Sequence, residues 1–390
     1  MELKGCRIVI VGAGIGGLAA ARALALRGAS VMVLEQASEI SEVGAGLQVS
    51  PNAMAVLRAL GLDTALAARS VPGRAVELCD YRGARVLRLD LPGRAGDYLF
   101  AHRADLIDVL AEGARAAGVH VRLLQKVQRV EPGACPRVQT SNGAQMTADL
   151  VVGADGLHSV VRAALNGPAA PVFTGQTAWR ATVPEAGAAA PVVRVHMGPH
   201  RHLVSYPLRG GRLRNIVAVQ ERAAWTAESW SQEDDPRALR AAFGDFCDPV
   251  QALLARVTRV HLWGLFRHPV APVWQRNGLA ILGDAAHPTL PFMAQGAALA
   301  LEDAWVLAAS LSATPHGDSA AGLAAYQGRR AARARRVVAA ASGNAWKYHL
   351  SFPPLRGAAH AALRLAGRVA PAAMARQFDW IWDHDVTAGG

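Results

Sequence analysis

Cys6-Arg-Ile-Val-Ile-Val-Gly12-Ala-Gly14-Ile-Gly16-Gly17 is the stretch whose reading decides the fold. Its first six residues, four of them β-branched, read as a short buried strand. An Ala- and Leu-rich helix is expected from about Gly16 to Arg27, followed by a second strand at Ser30–Leu34. Gly12, Gly14 and Gly17 fill G-x-G-x-x-G between that strand and helix, the context that gives this weak pattern a mechanism. The first glycine permits the tight turn, the second lets a pyrophosphate approach the backbone, and the third lets the helix lie close on the sheet. Free amides at the helix start then meet phosphate charge. Glu35, with Gln36 beside it, ends the second strand about 20 residues on, where a carboxylate accepts hydrogen bonds from ribose hydroxyls. The unit reads as dinucleotide-binding, and alone it does not choose between NAD and FAD.

At 390 residues the chain exceeds a single core, so two interlocked domains are expected. Residues 51–70 read as helix, and 74–90 as a hairpin turning at Tyr81-Arg82-Gly83. A third helix follows His102-Arg103, and Val119–Val130, Ala134–Thr140 and Gln145–Val152 supply further strands. Between Pro171 and Phe266 the pattern is strand-rich, with sheet elements at Trp179–Val183, Val192–Met197, His202–Pro207 and Asn215–Gln220. Segment 184–191 reads as a loop, and helical patterning resumes at Ala294 and runs to the end. The expected class is α/β. A Rossmann-like dinucleotide domain (1–75, 100–170 and 270–345) is interleaved with a mostly antiparallel sheet domain (76–99 and 171–269), and 346–390 form a C-terminal helical tail.

Two later motifs select the cofactor. Gly153-Ala154-Asp155-Gly156 follows the apolar strand Leu150–Val152 and precedes Arg162. Gly283-Asp284-Ala285-Ala286-His287-Pro288 follows Leu279–Leu282 and leads through Gln295-Gly296-Ala297 into a helix. An acid at a strand end can hold a sugar-alcohol hydroxyl, and a glycine-led helix start can stabilise an anion beside it. A ribityl chain and a reduced flavin fit those two features.

With these three motifs in order, the chain resembles the single-component FAD-dependent aromatic hydroxylases, a family that includes 3-hydroxybenzoate, salicylate and 6-hydroxynicotinate hydroxylases. The resemblance covers nearly the whole chain. It implies bound FAD, NADH or NADPH as a transient co-substrate, and O2-dependent hydroxylation of a small aromatic substrate through a flavin hydroperoxide. It places Glu35 at the adenosine ribose, Arg103 against the FAD, the Val127 backbone at the adenine and Asp284 at the ribityl chain. Asp155 and Arg162 would serve both FAD and reduced nicotinamide, with Gly283, Gly296 and Ala297 completing the cofactor set. Gly44–Asn52, including Gln48, resembles the family loop beside the isoalloxazine. Only one glycine fingerprint is present, as in this family and unlike two-domain flavin enzymes.

In His202-Leu-Val-Ser-Tyr206, period-two alternation puts His202 and Tyr206 on one sheet face. A histidine there could take a phenolic proton and a tyrosine could orient the ring oxygen. Spacing alone favours a satisfied sheet histidine and a packing tyrosine. The 3-hydroxybenzoate and 6-hydroxynicotinate hydroxylases carry the same pair, which implies the catalytic reading. Gln48, Pro291 and Phe292 join them as the expected substrate pocket, and the apolar Pro291-Phe292 pair departs from the polar residues of those two enzymes. His287 is read as fixing its loop.

A formal charge of +11 raises the question of nucleic acid, yet the 41 basic residues are scattered, with lysine only at positions 4, 126 and 347. No polyanion surface is expected. Four well-separated cysteines offer no metal or disulfide spacing, and the apolar opening is broken by glycines, Arg22 and Arg27. A cytoplasmic monomer or homodimer without a metal or membrane span is expected. An epoxidase or hydroxylase of a non-phenolic quinone-pathway or secondary-metabolite substrate, and a non-catalytic flavin sensor, are the alternatives.

Overall fold

A computed structural model describes residues 3–40, 46–91, 97–185, 187, 189–224, 232–314 and 318–388. Gly44 and Ala45 of the expected flavin loop, and positions 186 and 188 of the 184–191 loop, lie outside the described residues.

The opening unit is strand Arg7–Val11, helix Ile15–Ala25 and strand Ser30–Leu34, the two strands parallel with Ile8 opposite Val31. Parallel strands joined by a crossover helix are covered on both faces, which is why Ile8–Val11 is an unbroken apolar run. Leu150–Gly153 and Leu279–Ile281 extend this sheet on one side and His120–Arg122 on the other, all parallel, with Gln275–Arg276 as an antiparallel edge. Three segments far apart in sequence thus end side by side. Gly12, Asp155 and Asp284 follow the carboxyl ends of strands Arg7–Val11, Leu150–Gly153 and Leu279–Ile281, where ligands of open α/β sheets bind.

The second sheet has eight strands. Its hairpin Ala75–Asp80 and Arg85–Asp90 turns through Gly83 at φ +97°, and enters the sheet by a parallel pairing with Val192–Gly198. The other pairings are antiparallel, linking Arg201–Leu208, Leu213–Glu221, Val172–Pro184, Val260–Arg267 and Glu233–Asp234. Register sets one row of residues across five strands: Leu78, Val195, Val204, Val217 and Arg180. That row faces a cavity. The opposite face packs Trp179, Leu203 and Ile216 against Leu239, Phe243 and Leu254 of two helices, Pro236–Ala242 and Asp248–Ala255.

Those two helices replace part of the expected strand-rich stretch. Their starts carry helix signals: Asp235 accepts a hydrogen bond from the Arg237 amide at 2.8 Å, and a proline follows at the first turn of each. The expected 51–70 helix is two helices, Pro51–Ala59 and Asp63–Ala67, interrupted where Gly61 takes φ +69°. The Gln145–Val152 segment also divides, Gln145–Thr147 joining a small antiparallel sheet and Leu150–Gly153 the parallel one. Helix Gly296–Ala313 is long and apolar enough to cross a membrane, and here it is a buried core helix packed on Ile15–Ala25 and Ser319–Asn344. The tail forms helices Pro353–Val369, Pro371–Arg376 and Asp379–Trp382, the first two of which lie over the Arg85–Asp90 edge.

Candidate active site

One cavity of about 1750 Å³ runs from the glycine turn to the face of the eight-stranded sheet. At the turn, Gly12 has φ +102°, and a Cβ there would come 2.5 Å from the Ala154 carbonyl oxygen. A Cβ on Gly17 would collide with the Gly12 carbonyl, so both positions are closed to side chains by the protein itself. Gly14 is different: a Cβ there meets nothing and would occupy the cavity. The adjoining Ile15–Ala25 helix has no side-chain cap and no acid in its first turn, leaving its positive end to the cavity. Glu35 accepts the Ala13 amide at 2.8 Å and the Ala37 amide at 2.9 Å, which fixes its carboxylate at the cavity wall beside Gln36. Val127 begins the strand Val127–Glu131 on the same wall. The glycine floor and the uncapped helix end fit the pyrophosphate and adenosine of a dinucleotide.

Midway, Asp155 lines the cavity and its Oδ2 accepts the Val160 amide at 2.8 Å, closing the entry to helix Val160–Asn166. Arg162 turns away from the cavity. Its guanidinium donates to the carbonyls of Ala285 (3.1 Å) and Pro269 (2.6 Å), bracing the loop that carries Asp284. Asp284 opens onto the cavity, yet the protein around it raises its carboxyl pKa, an effect opposed by His287, Arg103 and His268. Arg103, first residue of helix Arg103–Ala116, faces the same space. Gly283 takes φ +58°, and its amide donates to Asp303 at 3.0 Å. His287 Nε2 lies 2.5 Å from the same oxygen, Asp303 Oδ2, so His287 fixes the loop. Gly296 and Ala297 open an uncapped 18-residue helix toward the cavity, a second positive helix end in the same space.

At the sheet end, His202 and Tyr206 both line the cavity and both are buried, as alternation requires. Burial and the neighbouring His349 hold the His202 imidazole well below its ordinary pKa, so the ring is a neutral acceptor at physiological pH. Its Nδ1 is taken by His349 at 2.7 Å, which leaves Nε2 for a group in the cavity. Burial raises the Tyr206 phenol, with Arg180 opposing, and keeps it a neutral donor. Gln48 accepts the Tyr98 hydroxyl at 2.8 Å and Phe292 packs on the His202 ring at 5.9 Å, with Pro291 beside it on the wall. All five expected substrate-side residues therefore share one chamber, walled by Val193, Val195, Val204 and Val217.

Sequence reasoning missed Arg180 and His349. Arg180 stands over the Trp263 ring at 4.2 Å and lines the cavity, its pKa lowered to about 10 chiefly by burial. An arginine within the expected sheet element Trp179–Val183 is the signal for it. His349 reaches the site from 147 residues beyond His202, and no local pattern marks it.

Comparison with known proteins agrees with this geometry. Residues 5–341 match a family model described as FAD binding domain. The 3-amino-4-hydroxybenzoate 2-monooxygenase of Streptomyces cremeus is 36% identical over 89% of this chain and 89% of its own length. The 3-hydroxybenzoate 6-hydroxylase of Klebsiella oxytoca is 35% identical over 86% of this chain and 87% of its own. Among solved structures, Klebsiella pneumoniae HpxO complexed with FAD and uric acid superposes with a TM-score of 0.82 at 26% identity, covering 96% of this chain and 97% of that one. The cradle, the extent of the family match and the full-length relatives agree: the chain belongs to the FAD-dependent aromatic hydroxylases and is a flavoprotein monooxygenase that binds FAD.

Proposed function

We propose that this enzyme hydroxylates a small aromatic ring carrying an ionisable hydroxyl group, using NADH or NADPH and O2. The observation that carries the reading is the pairing of a neutral, buried His202 with Tyr206 on one wall of the cavity that also holds the glycine turn. When bound, FAD supplies the two-electron redox chemistry and the activation of O2. The chain's own residues do the rest. Gly12–Gly17 hold the pyrophosphate, Glu35 and Gln36 the adenosine ribose, the Val127 backbone the adenine, and Asp284 with Arg103 the ribityl region. Gly283, Gly296, Ala297 and Gln48 border the ring system, and Asp155 with the Arg162 brace shapes the approach of reduced nicotinamide.

His202 Nε2 takes the hydroxyl proton of the substrate, which makes the ring the better nucleophile. Tyr206 donates to the resulting oxygen and holds the ring in place. Arg180 supplies the positive charge for a carboxylate or other anionic substituent, and the valine wall excludes water. The names of the relatives, hydroxybenzoates among them, support this substrate class. The apolar Pro291-Phe292 wall also favours a second reading, oxygenation of a non-phenolic ring of quinone or secondary-metabolite type, which product mass spectrometry separates from the first. We place the enzyme in the cytoplasm as a monomer or homodimer.

The test is a screen of 3-amino-4-hydroxybenzoate, 3-hydroxybenzoate, salicylate and 6-hydroxynicotinate for stimulated NADH and NADPH oxidation with hydroxylated product. In the active pairing, His202→Asn should slow hydroxylation about 100-fold or more while FAD content stays near wild type. Unchanged turnover of a phenolic substrate by this variant would sink the assignment.

A further inference from the structure

Four side chains form an unbroken line from the cavity to the protein surface. His202 Nδ1 lies 2.7 Å from His349 Nε2, His349 Nδ1 lies 2.9 Å from Glu221 Oε1, and Glu221 Oε2 lies 2.6 Å from His200 Nδ1. The first two residues are buried, and the last two are exposed and line a separate surface cleft with Thr174 and Gln176. Backbone bonds hold the ends together: the His200 amide donates to the His349 carbonyl at 3.2 Å, and the Glu221 amide donates to the His200 carbonyl at 2.9 Å. Both ring nitrogens of His349 point along the line, one to each neighbour.

We propose that His349 and Glu221 form a proton relay that carries the proton taken up by His202 out of the cavity to solvent. The proposal rests on the reading of His202 as the base for the substrate hydroxyl. Its physical ground is that a buried imidazolium is costly, so His202 cannot serve as the final store of a proton. Tyr348 and Phe292 lie against the His202 ring at 5.2 and 5.9 Å, and His349 is the partner bonded to its Nδ1. His349 is itself buried, and its own pKa is lowered by that burial against the opposing pull of Glu221. Glu221 is where charge settles: its burial would raise the carboxyl, and the bonds from His200 and His349 outweigh this and keep it ionised.

The transfer balances. The substrate O–H bond breaks, and its proton forms the Nε2–H bond of His202 as the Nδ1–H proton passes to His349 Nε2. The Nδ1–H proton of His349 passes in turn to Glu221 Oε1. Both imidazoles end neutral with their tautomers exchanged, the substrate is left anionic, and Glu221 is left protonated. Glu221 then loses that proton to water or to His200, and a proton entering by the reverse route restores the starting tautomers.

The experiment uses the full-length FAD-loaded enzyme and, as probe, whichever of 3-amino-4-hydroxybenzoate, 3-hydroxybenzoate and 6-hydroxynicotinate most stimulates NAD(P)H oxidation. The probe is mixed rapidly with enzyme in weak buffer containing a pH-indicator dye. Its ionisation is followed by absorbance, proton release by the dye, and its Kd by the change in flavin fluorescence. Glu221→Gln and His349→Asn should each slow proton release about tenfold or more with Kd changed less than about threefold. Formate, a small carboxylate able to enter the surface cleft, should restore much of the rate to Glu221→Ala. Wild-type proton release in both Glu221→Gln and His349→Asn overturns the relay while leaving His202 as the base. Equal loss of binding and release, with no recovery by formate, assigns the line a structural role and overturns it too. Wild-type ionisation of the probe by His202→Asn overturns the base itself, and the relay with it.

Discussion

Gly14 and Gly17 answer two different demands on one turn. A Cβ on Gly17 would collide with the Gly12 carbonyl, whereas Gly14 sits at φ −73° and ψ −178°, a conformation open to any residue, and faces empty cavity. Gly17→Ala should therefore destabilise the apoprotein, because the helix must move off the sheet. Gly14→Ala should leave apoprotein melting within about 2 °C of wild type, an effect under about 0.5 kcal/mol, and lower FAD occupancy sharply. Melting curves and flavin content measured on both variants check this, and equal behaviour of the two would refute the assignment of Gly14 to cofactor approach. Arg180 supports a second prediction. Arg180→Gln removes the charge while keeping some hydrogen bonding, and should weaken 3-hydroxybenzoate binding by about tenfold or more relative to phenol. Equal losses for the two ligands would show that Arg180 does not read the carboxylate. At this scale the legible residues were those whose backbone context explains them: glycines before a helix, and acids at strand ends. Glu221 and His349 matter through partners in other segments, and a sequence does not display those partners.

The helices Gly296–Ala313 and Ser319–Asn344 are fastened by a cluster of charges centred on buried Arg330, Glu302 and Asp303. Arg330 donates to Asp303 at 2.7 Å and to Glu302 at 2.6 Å, Arg333 adds bonds of 2.8 and 2.9 Å to Glu302, and Asn52 joins from a third helix at 2.6 Å. Breaking a buried ion pair from one side leaves the other charge uncompensated. Arg330→Met should thus cost about 3–5 kcal/mol in denaturant unfolding, and, through Asp303, loosen the Gly283 loop enough to reduce FAD retention. Burial raises the Asp303 carboxyl, but His287 and Arg330 outweigh that and lower it from 3.8 to about 2. A depressed carboxyl stabilises the fold above its unfolded pKa, so this contribution is complete above about pH 4 and disappears as pH falls toward 2. An acid-unfolding curve of Arg330→Met that matched wild type would refute it. By spacing alone the arginines at 329, 330, 333, 335 and 336 read as a solvated face spread around the helix. Arg330 is fully buried instead, because Glu302 and Asp303 face it from the neighbouring helix, and helix-to-helix register is absent from local periodicity.

At the scale of the whole molecule, the tail helices wall the cavity. Leu363, Met374, Phe378, Ile381 and Trp382 line the cavity from the tail, with Trp382 packed edge-on to Tyr98 at 6.1 Å and stacked on Phe378 at 5.1 Å. Arg333 donates to the carbonyls of Trp380 and Ile381 at 3.0 and 3.1 Å, and Arg336 lies 3.9 Å over the Trp380 ring, so the tail is anchored to the same helix that holds the buried charges. Phe378-Asp-Trp-Ile-Trp382, with three aromatics in five residues, reads in the sequence as a packed segment, whereas the surface beneath it required the fold. A chain ending at residue 376 loses Phe378, Ile381 and Trp382 from that wall but keeps Gly12, Glu35 and Asp284, which line the rest of the cavity. FAD content should stay near wild type, and water should reach the chamber that ought to remain dry during oxygen transfer. More of the NAD(P)H oxidised would then end as hydrogen peroxide and less as hydroxylated product. The ratio of product to NAD(P)H consumed measures this directly, with Trp382→Ala shifting it in the same direction by a smaller amount. A truncated enzyme that kept wild-type coupling would show that the tail covers the cavity without sealing it, and one that lost its flavin would show instead that the tail supports the cofactor.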